Sequence, residues 1–358
     1  MDGSFRNLTP IPNKIASKLE INLKPQMVWT AVHAKIHRTI RWRHLFERHQ
    51  HLLVAVSGGQ DSLCLMKLLL DLQPKWGWNL GVAHCDHRWR PDSHFNAQHV
   101  ANIAQKWNLP FYLEVAAQPL KSEAAARNWR YQALGAIAKQ HNYNCIVTGH
   151  TASDRAETLL YNLIRGSGAD GLQALSWRRL LVDDILLVRP LLELTRTETE
   201  IFCQQNQLPI WQDSTNQDWK YARNRIRQEL IPYLRQHFNP QIESVLAQTA
   251  ELLQAEVEYL EKAAQQLKQE ALSKQDKTTG QSCCLPLKLN RRILQQAPVA
   301  LQRRVMRQLL QNLLPDAPNF EQIEKLTALI TAPNRSQTDP FPGGAIAQVQ
   351  DDWIWIRK

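Results

Sequence analysis

No apolar run in this chain approaches the ~20 residues that a bilayer-spanning helix needs. The opening residues also lack the apolar core of a secretory leader, so the expected location is the cytosol. The cysteines are few and scattered: Cys64, Cys85, Cys145, Cys203, Cys283 and Cys284, with no Cys-x-x-Cys spacing among them. Over 358 residues this argues against a disulfide scaffold and makes buried thiols the expected state. There is no internal repeat and no low-complexity tract. What remains, 44% hydrophobic and 21% charged, is the composition of an ordinary globular protein with room for two or three domains.

The charge balance is basic, +10 overall, which favours a polyanionic partner. The excess is concentrated at the start. Residues 1–50 hold nine Lys/Arg against three Asp/Glu, whereas 51–225 and 226–358 are each only +2. Residues 1–25 are expected to be a flexible lead-in. Residues 26–50 are expected to form a helix, with Lys35, Arg38, Arg41, Arg43 and Arg48 on it. Trp29, Val32, Ile36, Ile40 and Phe46 would dock it on the body. Such a basic face suits either a solvated surface or a nucleic-acid contact.

From Leu52 onward strands and helices alternate. Short apolar strands are expected over 52–56, 79–84, 111–115, 145–148 and 185–188. Helices are expected over 63–71, 93–107, 122–141, 152–164, 193–206 and 221–235, the last bent or ended by Pro232. This alternation predicts an α/β fold with a doubly wound parallel sheet. Residues 26–235 form the predicted catalytic domain. In such sheets ligands lie at the carboxyl ends of the strands. Three polar segments follow predicted strands: the glycine turn after 56, 84–88 and 148–154. Residues 236–358 form the predicted second domain, mainly helical: a long helix over 240–272, a polar linker over 273–282, helices over 298–314 and 320–330, and a terminal hairpin over 345–356.

The turn Ser57-Gly58-Gly59-Gln60-Asp61-Ser62 sits between a strand and a helix. Its glycines permit close backbone approach, and the helix start directs amide N–H groups and a positive dipole end into it, so it suits an anion. It lacks the Lys-Ser/Thr of the Walker loop and the third glycine of the dinucleotide fingerprint. The full string resembles the pyrophosphate (PP) loop of ATP-pyrophosphatases, which cleave ATP to AMP and pyrophosphate. Four further segments narrow the resemblance. His84-Cys85-Asp86-His87-Arg88 is similar to an H-x-D-H segment. Glu123 with Arg127, Arg130 and Tyr131 matches an E-x-x-A-R-x-x-R-Y helix. Thr148-Gly149-His150 with Asp154, Glu157 and Arg165-Gly166-Ser167-Gly168 matches the longest signature. Asp213-Ser214-Thr215-Asn216 with Tyr221, Arg223, Arg225 and Arg227 completes the set. Together they resemble the tRNA(Ile)-lysidine synthetase family, densely over residues 52–234 and more loosely beyond. Longer members of that family carry a further domain, which is not expected here.

The resemblance implies a ligase that adenylates the wobble cytidine of tRNA(Ile) and then joins lysine to it. ATP and Mg2+ are the implied cosubstrate and metal. Ser57, Gly58, Gly59, Gln60, Asp61 and Ser62 would hold ATP, with Asp61 on Mg2+ and His87 and Arg88 on the adenosine side. Asp154 and Glu157 lie one helical turn apart, on one face. With His150 they would receive lysine, and Asp154 is also placed for a base or a second Mg2+ ligand. Asp61 and Asp154 are the expected catalytic pair. Arg127, Arg130, Arg223 and Arg225 are expected on RNA, together with Lys35, Arg38 and Arg41 of the first helix. Arg227 is expected to be a surface charge. The sequence leaves open whether the chain pairs as a homodimer. Rival readings are a tRNA thiolase, against which the isolated cysteines argue, and a non-catalytic tRNA-binding module.

Overall fold

The computed structural model describes residues 28–89, 91–120, 122–212, 219, 222–272 and 286–357. The expected lead-in, the Asp213–Asn216 segment with Tyr221, the polar linker, and Cys283 and Cys284 lie outside the described residues.

Six strands form the main sheet: β1 (His51–Ala55), β2 (Asn79–Asp86), β3 (Phe111–Val115), β4 (Cys145–Thr148), β5 (Arg178–Val182) and β6 (Ile185–Val188), in the order β3-β2-β1-β4-β6-β5. Five run parallel, and β5 pairs antiparallel with β6 at the edge. Along β1, Leu52 and Val54 enter one apolar cluster and Leu53 enters the other, all fully buried. This two-residue alternation, apolar on both faces, is what a covered parallel strand requires. The order reverses between β1 and β4, which places the crevice there. The edge strand β5 was not expected. Its Leu180 and Val182 are exposed, so it lacks a buried-strand pattern, and the turn at Asp183 is held at a positive φ of 46°.

Helices α1 (Ala31–Trp42), α2 (Gln60–Trp76), α3 (Ser93–Lys106), α4 (Glu123–Gln140), α5 (Ala152–Ile164), the short α6 (Ala169–Leu172) and α7 (Arg196–Gln205) surround the sheet. The first is shorter than expected. After Trp42 the chain turns through His44, at φ 49°, so that Leu45 and Phe46 can bury. The second is longer. Its N-cap is Gly59, inside the turn, and it stops at Gly77 in the left-handed conformation. The expected helix over 221–235 is three pieces: α8 (Ala222–Arg225), a wide π turn over Ile226–Leu230, and α9 (Ile231–His237). The wide turn lets Ile226 and Ile231 share one face against Ala156 and Leu160 of α5. Pro232 does not end the helix. It lies directly after the π turn, and the backbone stays helical on both sides of it.

Helix α10 (Ile242–Ala271) runs for 30 residues and serves two cores. Ile242 and Leu246 pack beside α5, whereas Ala264 and Ala271 join the second core. That core is closed by α11 (Arg291–Gln295), α12 (Val299–Leu313), α13 (Phe320–Ala328) and a three-stranded antiparallel sheet. The sheet orders β7 (Leu287–Asn290), β9 (Trp353–Arg357) and β8 (Ile346–Gln350), with β9 in the middle. Polar latches join the two regions. Glu251 of α10 takes Arg155 at 2.7 Å, Arg43 at 2.6 Å and the Trp177 indole N–H at 2.6 Å. Arg304 and Arg307 of α12 both engage Asp170 of α6.

Candidate active site

The glycine turn is braced by its own serines. Ser62 Oγ donates to the Gly59 carbonyl at 2.8 Å and accepts from the Ser57 N–H at 3.2 Å. Gly58 adopts φ +86°, and a Cβ there would come within 2.3 Å of Asn96 Oδ1. The Asn96 amide donates to the Ser57 carbonyl at 2.9 Å, so α3 supports the turn from behind. Gly149, after β4, is required for another reason. A Cβ would meet the Asp61 carbonyl oxygen at 2.8 Å, so only glycine lets the two strand-end segments touch. The Gln60 side chain, expected to face ATP, instead turns into α7. It donates to the Arg196 carbonyl at 2.7 Å and to Thr199 Oγ1 at 2.8 Å.

Asp61, Asp154 and Glu157 converge as the motif spacing predicts, and Arg196 lies among them. Its guanidinium reaches Asp61 at 3.1 Å, Asp154 at 3.3 Å and Glu157 at 3.7 Å. Thr199 donates a 2.5 Å hydrogen bond to the other Asp61 oxygen. Burial pushes the Asp61 carboxyl up, only partly offset by Arg196. Burial would also raise Asp154, but Arg196, the Thr151 N–H and Arg227 together hold it below the usual carboxylate range. Asp154 closes a capping box with Thr151 at 2.8 and 2.9 Å, which favours the charged form. Glu157, 4% exposed, is clasped by Arg227 through two hydrogen bonds of 2.6 and 2.7 Å. Arg227 is therefore not a free surface charge. The π turn brings it inward to a fork-on-carboxylate geometry that suits arginine. With both Glu157 oxygens engaged, lysine can share this carboxylate only if the clasp yields.

His150 follows β4 and bonds Thr148 Oγ1 at 2.9 Å. Burial, then Arg189, pushes its imidazole down to about 3, so at neutral pH it is an uncharged hydrogen-bonding group. His87 is likewise pushed down to about 4, by burial and then Arg130, and its ring meets Trp129 edge-on at 5.1 Å. Arg88 turns away, donating to the Ala117 carbonyl at 3.1 Å. Arg127 and Arg130 lie in the first two turns of α4, at the active edge. Arg223 joins that edge through Glu123 at 3.3 Å, and Arg225 donates to the Trp219 carbonyl at 2.9 Å. Lys35, Arg38 and Arg41 are not brought to the turn. Lys35 is spent on Glu198 at 2.9 Å, and Arg38 and Arg41 are exposed on α1.

Sequence reasoning missed Arg196, Asn96 and Thr199. The Leu194-Thr195-Arg196 stretch signals only a helix start, with Thr195 as its N-cap; nothing local points to Asp61, 135 positions away. The cysteines are also less isolated than the sequence suggests. Cys64 and Cys203 are buried side by side behind Asp61. The neighbouring Cys203, then burial, drives the Cys64 thiol far above its usual range. That environment disfavours the thiolate that sulfur chemistry needs.

Residues 15–234 match the PP-loop domain family, which places the chain in the PP-loop class that the sheet topology and glycine turn define. Residues 289–355 match the TilS substrate binding domain. A tRNA(Ile)-lysidine synthase of Nostoc sp. is 72% identical over 336 residues, 93% of this chain and 98% of that protein. Its Synechocystis sp. counterpart is 52% identical, over 92% of this chain and 98% of that one. The chain belongs to the tRNA(Ile)-lysidine synthase family. The U34-tRNA thiolase NcsA of Methanococcus maripaludis aligns with a TM-score of 0.53 at 14% identity, over 62% of this chain and 77% of that chain. This last likeness is one of fold alone.

Proposed function

We propose that the protein ligates lysine to C2 of the wobble cytidine in a tRNA(Ile) with a CAU anticodon. The observation that carries this reading is the convergence of Asp61, Asp154 and Glu157 beside the glycine turn, in a chain of this family. In the first step the cytidine O2 attacks the α-phosphorus of ATP, and the bond to pyrophosphate breaks. The turn amides and the Ser57 and Ser62 hydroxyls receive the departing pyrophosphate. In the second step the lysine ε-nitrogen attacks C2, the C2–O bond breaks, and AMP leaves with the oxygen.

A lysine amine, with an ordinary pKa of ~10.4, must lose a proton before it can attack. Asp154 is the group we assign to hold the ammonium and take that proton, because its neighbours keep it ionised. Glu157 forms the rest of the acidic wall, and neutral His150 offers a hydrogen bond to substrate. The donor set also fits Mg2+. Two carboxylates, Asp61 and Asp154, converge closely enough to share one guanidinium, and Mg2+ takes one or two carboxylates beside phosphate oxygens. Asp61 would hold it; the ion, when bound, neutralises charge on the phosphates. The second region, residues 236–358, is assigned to reading the tRNA, and the protein to the cytoplasm.

The test supplies ATP, Mg2+, labelled lysine and unmodified tRNA(Ile). Label is expected in the RNA with wild type and not with Asp61→Ala, which should still bind tRNA within about twofold while losing at least ~1000-fold in pyrophosphate release. Equal label from other amino acids, or unchanged release in Asp61→Ala, would sink the assignment.

A further inference from the structure

A second charged assembly lies on the far side of His150, and it contains only cations. Arg127 and Arg130 come from α4, Arg179 from the edge strand β5, and Arg189 from the end of β6. They gather round Tyr131. The Arg179 guanidinium lies 4.9 Å from the Tyr131 ring centre and that of Arg127 5.7 Å, and Arg189 faces the phenol. Arg189 is 1% exposed. One of its terminal nitrogens donates to the Ser176 carbonyl at 2.6 Å, but its Nε is buried with no hydrogen-bond partner. Among the described residues none of the four has a carboxylate within ion-pair distance. Two acids of this edge are engaged elsewhere, Glu123 by Arg223 and Asp154 by Arg196. A buried guanidinium with an unmet donor, in a ring of like charges, is unfavourable unless an anion completes it.

We infer that Arg127, Arg130, Arg179 and Arg189, around Tyr131, form a phosphate site separate from the glycine turn, which receives the backbone phosphate of the reacting nucleotide in the RNA. The site deepens the proposed function and rests on it. Its position favours RNA over the pyrophosphate of ATP. The glycine turn follows β1, while Arg189 follows β6, two strands along. At the usual strand spacing the two anion sites stand about 10 Å apart, with His150 and Asp154 between them. A nucleotide whose base meets Asp154 has its own phosphate only a few bonds away, on this flank. The arginine fork matches a phosphodiester bidentately. Strand β5, which supplies Arg179, would then belong to the site and would not merely finish the sheet.

The test is a binding cycle with the full-length protein and an anticodon stem-loop carrying wobble C. Either linkage flanking that nucleotide is replaced in turn by an uncharged methylphosphonate. One of the two neutral linkages is expected to weaken wild-type binding by about 10- to 100-fold. In Arg179→Gln, whose side chain is exposed enough to be lost without unfolding, binding falls by a similar factor, and the same neutral linkage then makes under threefold difference. ATP affinity remains at the wild-type value, which also shows that the variant is folded. Equal loss from the neutral linkage in both proteins overturns the site, as does no loss from either linkage. Weaker direct binding of pyrophosphate to Arg179→Gln, with RNA affinity unchanged, would assign the site to free phosphate and overturn the RNA reading. All readouts are binding, so they stand apart from any failure of lysine ligation.

Discussion

The two charge assemblies at the carboxyl ends of the strands are built on opposite plans. Near the glycine turn, three carboxylates are matched by Arg196 and Arg227, and nearly every oxygen is hydrogen-bonded. Beyond His150, four arginines crowd one tyrosine, and no described carboxylate answers them. The balanced assembly is already satisfied within the fold, and the proposed lysine or metal ion enters only if it rearranges. The unbalanced one has hydrogen bonds and ring contacts but no counter-charge, and the proposed RNA phosphate would supply it. Charge matching thus separates groups already paired within the fold from groups left for the proposed phosphate.

Three measurements break or sharpen that contrast. The largest effect is expected on the balanced side. Glu157→Gln leaves Arg227 and Arg196 short of a buried counter-charge and should lower unfolding stability by about 2–3 kcal/mol in a denaturant titration. Glu157→Leu combined with Arg227→Met should recover most of that loss. A single variant as stable as the parent would mean that the clasp is not holding α5 to the π turn.

Acid should come next. The folded chain keeps His87 uncharged down to about pH 4, whereas the unfolded chain takes up that proton near 6.5. The unfolded state therefore binds more protons in this window. Stability is full above pH 6.5 and falls as the pH drops towards 4, by at most ~1.4 kcal/mol per unit for this one group. His87→Phe should flatten the decline in thermal melts; an unchanged slope would remove His87 as its source. Asp154 acts in the same direction at lower pH. Its depressed carboxyl stabilises the fold above the unfolded carboxylate pKa, and that contribution is lost as the pH falls through the folded value.

The smallest effect is expected on the unbalanced side. Arg179→Gln should shift stability by no more than about 0.5 kcal/mol, and towards greater stability, because it removes a like charge. A loss above ~1.5 kcal/mol would show that these arginines already have an internal partner, and the contrast would fail.

Much of this architecture was legible from the chain. The strand limits at 111–115, 145–148 and 185–188 follow from short apolar runs between turn residues, and the structure shows the same bounds. The long helix and the terminal hairpin follow from periodicity in the same way. Elements without a local pattern were missed. Strand β5 is mostly exposed, and β7, Leu-Lys-Leu-Asn, has only two apolar residues. The helix over 221–235 was expected whole because a π turn leaves the helical apolar spacing nearly intact.

The sequence by itself determined the class of chemistry. Ser57–Ser62 between a strand and a helix, with Asp154 and Glu157 one turn apart, is local information, carried by neighbours along the chain. Which charges those groups would meet was decided only by the tertiary structure. Arg196 reaches Asp61 across 135 positions and Arg227 reaches Glu157 across 70. Arg127, Arg179 and Arg189 come together from three separate elements. Coulomb interactions and steric limits depend on distance in space, and separation along a chain does not encode that distance. The same reasoning explains Gly149, whose need for glycine is invisible until the Asp61 carbonyl lies against it.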